Sequence, residues 1–213
     1  HPPHEPPGVA GLRVGSILHQ PGLAPGLRSP RHCPGPSRPR RGVRVGEAGA
    51  VSTVKPVAIT AGDLAWIHAL NEEHKLETSS LTRERLAELV AMAWYAKAAG
   101  GEGAFLIAFA QTAPYENANF AWMMARFERF IYIDRVIVAK THQRQGLARR
   151  LYDDLIAEAR TAGYPRITCE VNADPPNPGS DAFHERMGFQ PIGDLRALST
   201  EKTVRYLALA LQD

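Results

Sequence analysis

The chain has 213 residues, 44% of them hydrophobic and 22% charged, with a formal net charge of +3. That balance suits one α/β domain with a segment appended, and it excludes a collagen-like or membrane-spanning chain, since no apolar run approaches the ~20 residues a bilayer span needs. The two cysteines, Cys33 and Cys169, lie far apart and outside any Cys-x-x-Cys or Cys/His spacing, so neither a disulfide framework nor a metal site is expected.

The charge is unevenly placed. Residues 1–50 hold seven arginines against two glutamates, a net of +5, so residues 51–213 carry −2. The same fifty residues hold ten of the 17 prolines and nine of the 18 glycines. Apolar residues there are too sparse to offset the entropy of ordering, so residues 1–50 are expected to be a disordered Pro/Gly/Arg-rich tail. Two origins stay open for it: a basic arm for an acidic partner, or a stretch foreign to the native protein, whose start would then lie near Val51. Because the basic excess belongs to the tail, no nucleic-acid partner is expected of the folded part. With no signal-peptide pattern and no membrane segment, a cytoplasmic location is the default expectation.

From Lys55 onward the sequence is punctuated like a fold. Val57-Ala58-Ile59 reads as a short strand. Thr60-Ala61-Gly62-Asp63 has the form of a capping box, followed by Leu64, Ile67 and Leu70 at helical spacing. Thr82 caps a second expected helix running to about Ala99 and ended by Gly100-Gly101. Ala104–Ala110 reads as a buried strand, whereas residues 113–129 are open to a loop, a short helix or an irregular strand. Phe130–Val138 is a strong strand, and a polar turn, Thr141–Gly146, leads to a helix over Leu147–Ala162 with one apolar stripe. Arg166–Asn172 is the next strand. Pro175–Pro178 is a rigid loop, and Asn177 and Pro178 open another helix that ends at Met187-Gly188. Phe189–Ile192 and Val204–Leu211 close the sheet as strands.

The strand–turn–helix over residues 133–162 carries the chemistry. A strand that feeds a tight turn into a helix directs unpaired backbone N–H groups and the positive end of the helix dipole at one point, which suits an anion. Gly146 allows close backbone approach, Ala148 is small, and Arg144 and Arg149 add positive charge. The turn is neither a Walker A loop nor a Rossmann fingerprint. By itself the hexapeptide is equally compatible with an ordinary strand–helix connection.

Gln143-Arg144-Gln145-Gly146-Leu147-Ala148 resembles the Q/R-x-x-G-x-G/A pyrophosphate loop of the GNAT acetyltransferases. A second segment, Asn177-Pro178-Gly179-Ser180-Asp181-Ala182-Phe183-His184-Glu185-Arg186-Met187-Gly188-Phe189, is similar to the terminal pattern of that family. The resemblance covers residues 51–213. The runs Tyr132–Arg135 and Cys169–Asn172 look like a branch of predicted members with unnamed substrates. The resemblance implies an α/β fold with a mixed, mostly antiparallel central sheet flanked by helices and splayed between its fourth and fifth strands. It implies acetyl-CoA as cosubstrate and direct transfer to a primary amine. Backbone of Val136, Ile137 and Val138 would hold the pantetheine arm, and Gln143, Arg144, Gln145, Gly146, Leu147, Ala148 and Arg149 would hold the diphosphate. Asn177 would contact the cofactor near pantetheine. By analogy a homodimer is open, as is a non-catalytic acyl-CoA-binding module.

Amine attack on a thioester calls for a base, an oxyanion stabiliser and a proton for the leaving thiolate. His184 stands where many family members carry a tyrosine that serves the thiolate; as imidazolium it would do the same, or it is simply bonded to a neighbour. Asp134 and Glu170 sit within apolar strands, where a carboxylate is expected to be paired or functional. One of them is expected to pair with Arg135, in an order the sequence does not fix, and for each the role of a general base acting through water stays open. Tyr115, Asn119, Trp122 and Asn172 are the candidate acceptor-binding residues, for a small-molecule or peptide amine.

Overall fold

A computed structural model gives the fold and describes residues 55–199 and 202–211. The expected tail of residues 1–50 and the boundary near Val51 lie outside the described residues.

The described chain is built on one sheet. Its strands are β1 (Val57–Ala58), β2 (Tyr95–Ala99), β3 (Ala104–Ala110), β4 (Ile131–Val138), β5 (Arg166–Asp174), β6 (Gln190–Pro191), β7 (Arg196–Ser199) and β8 (Lys202–Ala210). Their spatial order is β1-β2-β3-β4-β5-β8-β6, with β7 also pairing with β8. All pairs are antiparallel except β4 with β5. That parallel pair joins at only two registers, Ile131 with Ile167 and Tyr132 with Thr168. Beyond Tyr132 the two strands share no ladder, so alternate backbone groups of β4 are left facing a gap. The mixed sheet splayed between its fourth and fifth strands is therefore present.

Helices cover both faces: α1 (Leu64–Glu73), α2 (Arg83–Met92), α3 (Ala118–Met124), α4 (Leu147–Thr161) and α5 (Pro178–Arg186). β3 is buried along its whole length, which is why it reads as a continuous apolar run rather than an alternation. Leu106 and Ala108 turn toward Leu151, Tyr152 and Leu155 of α4. Phe105, Ile107 and Phe109 turn the other way, toward Ile67 of α1, Leu86 of α2 and Phe120 of α3. Burying a large apolar side chain of this kind is worth about 1.5–3 kcal/mol each, and these two layers hold the sheet in place.

Two sequence expectations are corrected. The second helix stops at Met92, and Tyr95–Ala99 is a strand paired with β3 from Tyr95–Ala108 to Ala99–Ala104. Its Ala-rich text favours helix locally, but docking beside the fully buried β3 overrides that preference. Gly100 and Gly101 are consequently the turn of a hairpin, at φ +73° and +66°, and not a helix cap. Gly100 also touches α4: a Cβ there would lie 2.7 Å from Leu147 Cδ1. In the open stretch 113–129 the structure forms α3, where Asn117 Oδ1 accepts from the N–H groups of Asn119 (2.8 Å) and Phe120 (3.1 Å). β7 is a strand the sequence did not announce. Among the described residues no helix is long and apolar enough to cross a membrane.

Candidate active site

The gap between β4 and β5 opens into a cavity of about 720 Å³. Val136, Ile137 and Val138 form one wall; Gln143, Arg144, Gly146, Leu147, Ala148 and Arg149 form a second. Asn177 and one side of α5 as far as Met187 form a third, and His74, Glu77 and Thr78, from the segment between α1 and α2, close the fourth. A smaller cavity of about 100 Å³ continues inward and shares Glu77, Thr78, Val136, Asn177 and Ser180 with the first. It reaches Asp134, Arg135, Glu170, Asn172, Tyr152, Cys169 and His184. The sequence-expected cofactor residues thus line the outer cavity with one exception: Gln145 turns back, donating from Nε2 to the Thr141 carbonyl at 3.2 Å. Arg186, which lies within the terminal motif, and the 74–78 segment also line it.

The anion-binding end follows from how α4 begins. Its N-cap is Gly146 at φ +76°, and no side chain caps the helix. The first bond to a helix-initiating carbonyl runs from Arg150 N–H to Gly146 O at 3.1 Å. The N–H groups of Leu147, Ala148 and Arg149 precede it and stay available to a ligand. A Cβ at Gly146 would meet nothing within 4 Å, so the backbone here borders open space. Arg144, itself at φ +61°, and Arg149 and Arg186 surround the same end. The residues present therefore fit a diphosphate group. Asn177 caps α5 by accepting from Ser180 N–H at 3.1 Å, which leaves its side-chain NH₂ as the group it can offer the cavity.

The inner cavity is lined by three carboxylates and one guanidinium, and a kink in β4 places Asp134 and Arg135 among them. Ile107 faces Arg135 while Ala108 faces Ile133, so Asp134 is an extra residue without a cross-strand partner, a β-bulge. The bulge turns Asp134 and Arg135 to the same side of the sheet. Arg135 Nε donates to Asp134 Oδ2 at 2.6 Å, both side chains being 4% exposed. Arg135 Nη1 donates to Asn71 Oδ1 of α1 at 2.7 Å, and the Tyr115 hydroxyl donates to Asp134 Oδ1. Burial, and then the Asp134 charge, push the Tyr115 hydroxyl far above its ordinary pKa. Asp134 thus holds the ion pair with Arg135 that was expected of one carboxylate, within one strand rather than across two.

Glu170 is held differently. Asn119 Nδ2 donates to Oε1 and the Tyr132 hydroxyl to Oε2, each at 2.8 Å. Asn119 is itself fixed by the Tyr206 hydroxyl at 2.8 Å. Of the expected acceptor-binding residues, Asn172 lines the inner cavity and donates to the Glu77 carbonyl at 3.5 Å. Tyr115 and Asn119 instead support the carboxylates. Trp122 stacks on Tyr206 at 4.0 Å and under Arg126 at 3.6 Å, away from both cavities.

His184 is 4% exposed. Its Nδ1 lies 2.8 Å from the Ser180 carbonyl, which only accepts, so Nδ1 carries the proton. Nε2 then accepts from the Tyr152 hydroxyl at 2.8 Å. Burial lowers the His184 pKa, against the opposing hydrogen bond to Ser180. The ring is neutral at neutral pH, so the imidazolium form the sequence suggested is disfavoured, and burial raises the Tyr152 hydroxyl well above its usual range.

Among the described residues no group of His, Cys, Asp and Glu is placed to hold a metal ion. A model of the Acetyltransferase (GNAT) family matches residues 64–189. The chain belongs to this family. It is an acetyl-CoA-dependent acyltransferase of the GNAT kind. No curated protein matches it in sequence. Solved structures share the fold at low identity. The ribosomal-protein-S18-alanine N-acetyltransferase from Escherichia coli is 18% identical with a TM-score of 0.56, over 75% of this chain and 95% of that one. The Salmonella typhimurium protein yncA, solved with its cofactor acetyl-CoA, is 15% identical with a TM-score of 0.57, over 76% and 96%. Arabidopsis thaliana NAA60 in complex with acetyl-CoA is 14% identical with a TM-score of 0.59, over 75% and 99%. The GNAT chain described here thus shares with them its fold.

Proposed function

We propose that this chain moves an acetyl group from acetyl-CoA to a primary amine by direct attack, with the amine held in the acidic inner cavity. The observation that carries this reading is the division of charge along one continuous gap. Arg144, Arg149 and Arg186 with free helix N–H groups stand at the outer end; Glu170 and the Asp134–Arg135 pair stand at the inner end, and Glu77 lines both cavities. A long anionic cosubstrate fits the first and a cationic amine the second. Bound there, acetyl-CoA supplies the activated acetyl group.

The chain's own residues do the rest. The N–H groups of Leu147, Ala148 and Arg149 bind the diphosphate, with Arg144 and Arg149 beside it. The unladdered edge of β4 at Val136–Val138 offers backbone partners to the arm and an N–H to the oxygen that gains charge as the amine attacks. Glu170 is the base, taking the amine proton directly or through water. Asp134 instead carries the ion pair with Arg135, a cation that holds it as a carboxylate and a poorer base, whereas the partners of Glu170 named above are neutral donors. To serve the departing thiolate, the Tyr152 hydroxyl would turn its single proton from His184 Nε2 to the sulfur, stabilising it by a hydrogen bond, since so weak an acid does not surrender its proton outright. The acceptor is a small-molecule or peptide amine. Release of free CoA on incubation with a panel of primary amines and peptides tests the reading. Turnover with one class supports it; binding of acetyl-CoA without turnover on any amine would move the chain to the non-catalytic module.

A further inference from the structure

Glu170 and Tyr206 are direct partners in the antiparallel ladder between β5 and β8, so their side chains leave the sheet on the same face, side by side. Asn119 of α3 lies across the pair. Its Oδ1 accepts from the Tyr206 hydroxyl and its Nδ2 donates to Glu170 Oε1, each at 2.8 Å. The polarity of this bridge is forced. An ionised carboxylate only accepts, so the NH₂ end of the amide faces Glu170 and the carbonyl end takes the tyrosine proton. Turning the amide over would break both bonds where Asn119 is 6% exposed and Tyr206 fully buried.

The rest of α3 holds that amide still. Asn117 Oδ1 accepts from the N–H groups of Asn119 and Phe120 and fixes the first turn. Three residues on, on the same side of the helix, Trp122 stacks on the Tyr206 ring. One tyrosine thus grips the helix twice, by its hydroxyl at Asn119 and by its ring at Trp122. Glu170 Oε2 takes the Tyr132 hydroxyl of β4 at 2.8 Å. The carboxylate is therefore fixed on the wall of the inner cavity by Asn119 and Tyr132, which do not themselves line it.

We propose that Asn119, steadied by Tyr206, is a positioning residue for the transfer: it acts on the amine only through Glu170, holding that carboxylate ionised and in place at the inner cavity. The inference rests on Glu170 serving as the base in the acyltransfer reading. It gives Asn119 and Trp122, which the sequence offered as acceptor contacts, a task behind the site instead of in it.

The titratable and charged groups facing Glu170 include Tyr132 and Asp134 of β4, Tyr115 ahead of α3, the adjoining Cys169 and Tyr206 of β8. Arg135 lies beyond Asp134, Arg196 and Arg126 beyond Tyr206, and Glu77 and His184 line the same cavity. Burial above all raises the three tyrosines other than Tyr152 and the thiol, so these stay uncharged while Glu170 titrates.

The test follows the Glu170 side-chain carboxyl carbon by ¹³C NMR through a pH titration of the full chain labelled at glutamate, with Glu170→Gln to assign the signal. Asn119→Leu removes the donor. Asn119→Asp keeps an acceptor for Tyr206 but sets a second acid against Glu170. Tyr206→Phe leaves the amide and frees its carbonyl end. Loss of a donor to the charged form raises the pH at which Glu170 takes up its proton. The expected upward shifts are about one pH unit in Asn119→Leu, more than that in Asn119→Asp, and about half a unit or less in Tyr206→Phe. With an amine that is turned over, the acidic limb of kcat/KM is expected to move by the same amounts, with KM for acetyl-CoA unchanged. A Glu170 signal that titrates alike in the unaltered chain, Asn119→Leu and Asn119→Asp would overturn the inference, as would a shifted signal beside an unmoved rate profile. Shifts as expected but no turnover on any amine would sink the acyltransfer reading itself, and the positioning role with it.

Discussion

Asp134 and Arg135 are neighbours in one strand, yet their side chains meet at 2.6 Å on the same side of the sheet. Successive strand residues point to opposite faces, so the contact exists only because Asp134 is the extra residue of a β-bulge. The bulge aims a carboxylate at the inner cavity and supplies the cation that makes its burial tolerable.

Removing that cation leaves a buried carboxylate unpaired. Arg135→Met is expected to destabilise the protein by about 3–5 kcal/mol, and the double change Asp134→Leu with Arg135→Met by clearly less, because the stranded charge is then gone too. Urea unfolding of the three chains measures both. Equal losses in the single and double variants would contradict the pairing.

Gly146 sits at φ +76° with open space where a Cβ would go. Gly146→Val is therefore expected to cost about 1–2 kcal/mol of stability from backbone strain alone, while weakening acetyl-CoA by roughly tenfold or more by crowding the helix N–H groups. A variant that is destabilised but binds normally would show that the glycine serves the turn and not the ligand.

The lowered pKa of His184 has a defined sign in stability. The unfolded chain takes up a proton on this histidine near its ordinary value of 6.5, whereas the folded chain resists until lower pH. Stability falls as pH drops through that window, because the unfolded state binds more protons. The loss of stability between pH 7.5 and 5.5 is expected to be smaller in His184→Gln than in the unaltered chain, read by urea unfolding at both pH values. An identical pH dependence would mean that His184 is not held neutral.

Glu170 is expected to be the carboxylate that turnover needs. Glu170→Gln should lower kcat by about 10²–10⁴-fold with little change in CoA affinity, since Glu170 lines the inner cavity and not the outer one. Steady-state kinetics with the best amine, set beside calorimetry with CoA, separates the two effects. A raised KM for acetyl-CoA with kcat intact would contradict the role.

The loop and terminal motifs were legible because they are local. Gln143–Ala148 encodes a turn, and Asn177-Pro178 encodes a helix start, and between them they bring every residue of the turn but Gln145, and Asn177, to the outer cavity. The helix expected to about Ala99 failed where tertiary pairing with β3 outweighed an alanine-rich local preference. The bulge at Asp134 left no trace, because its cause is the register of β3 against β4 and not the identity of Asp134. The placing of His74 beside Val136, more than sixty residues away along the chain, depends likewise on tertiary contacts, those that fix the segment from Asn71 to Ser79. Tyr115 and Asn119, expected to bind the acceptor, have Asp134 and Glu170 as hydrogen-bond partners, pairings that only the folded sheet brings about.

The most direct test of the central claim is thermal unfolding of the full chain with and without saturating acetyl-CoA. A ligand that binds only the folded state at 100 times its Kd stabilises by about 2.7 kcal/mol, a rise of roughly 5–10 °C in a domain of this size. The account predicts that rise, and its reduction by about half or more in Gly146→Val. An unchanged Tm at millimolar acetyl-CoA would contradict it.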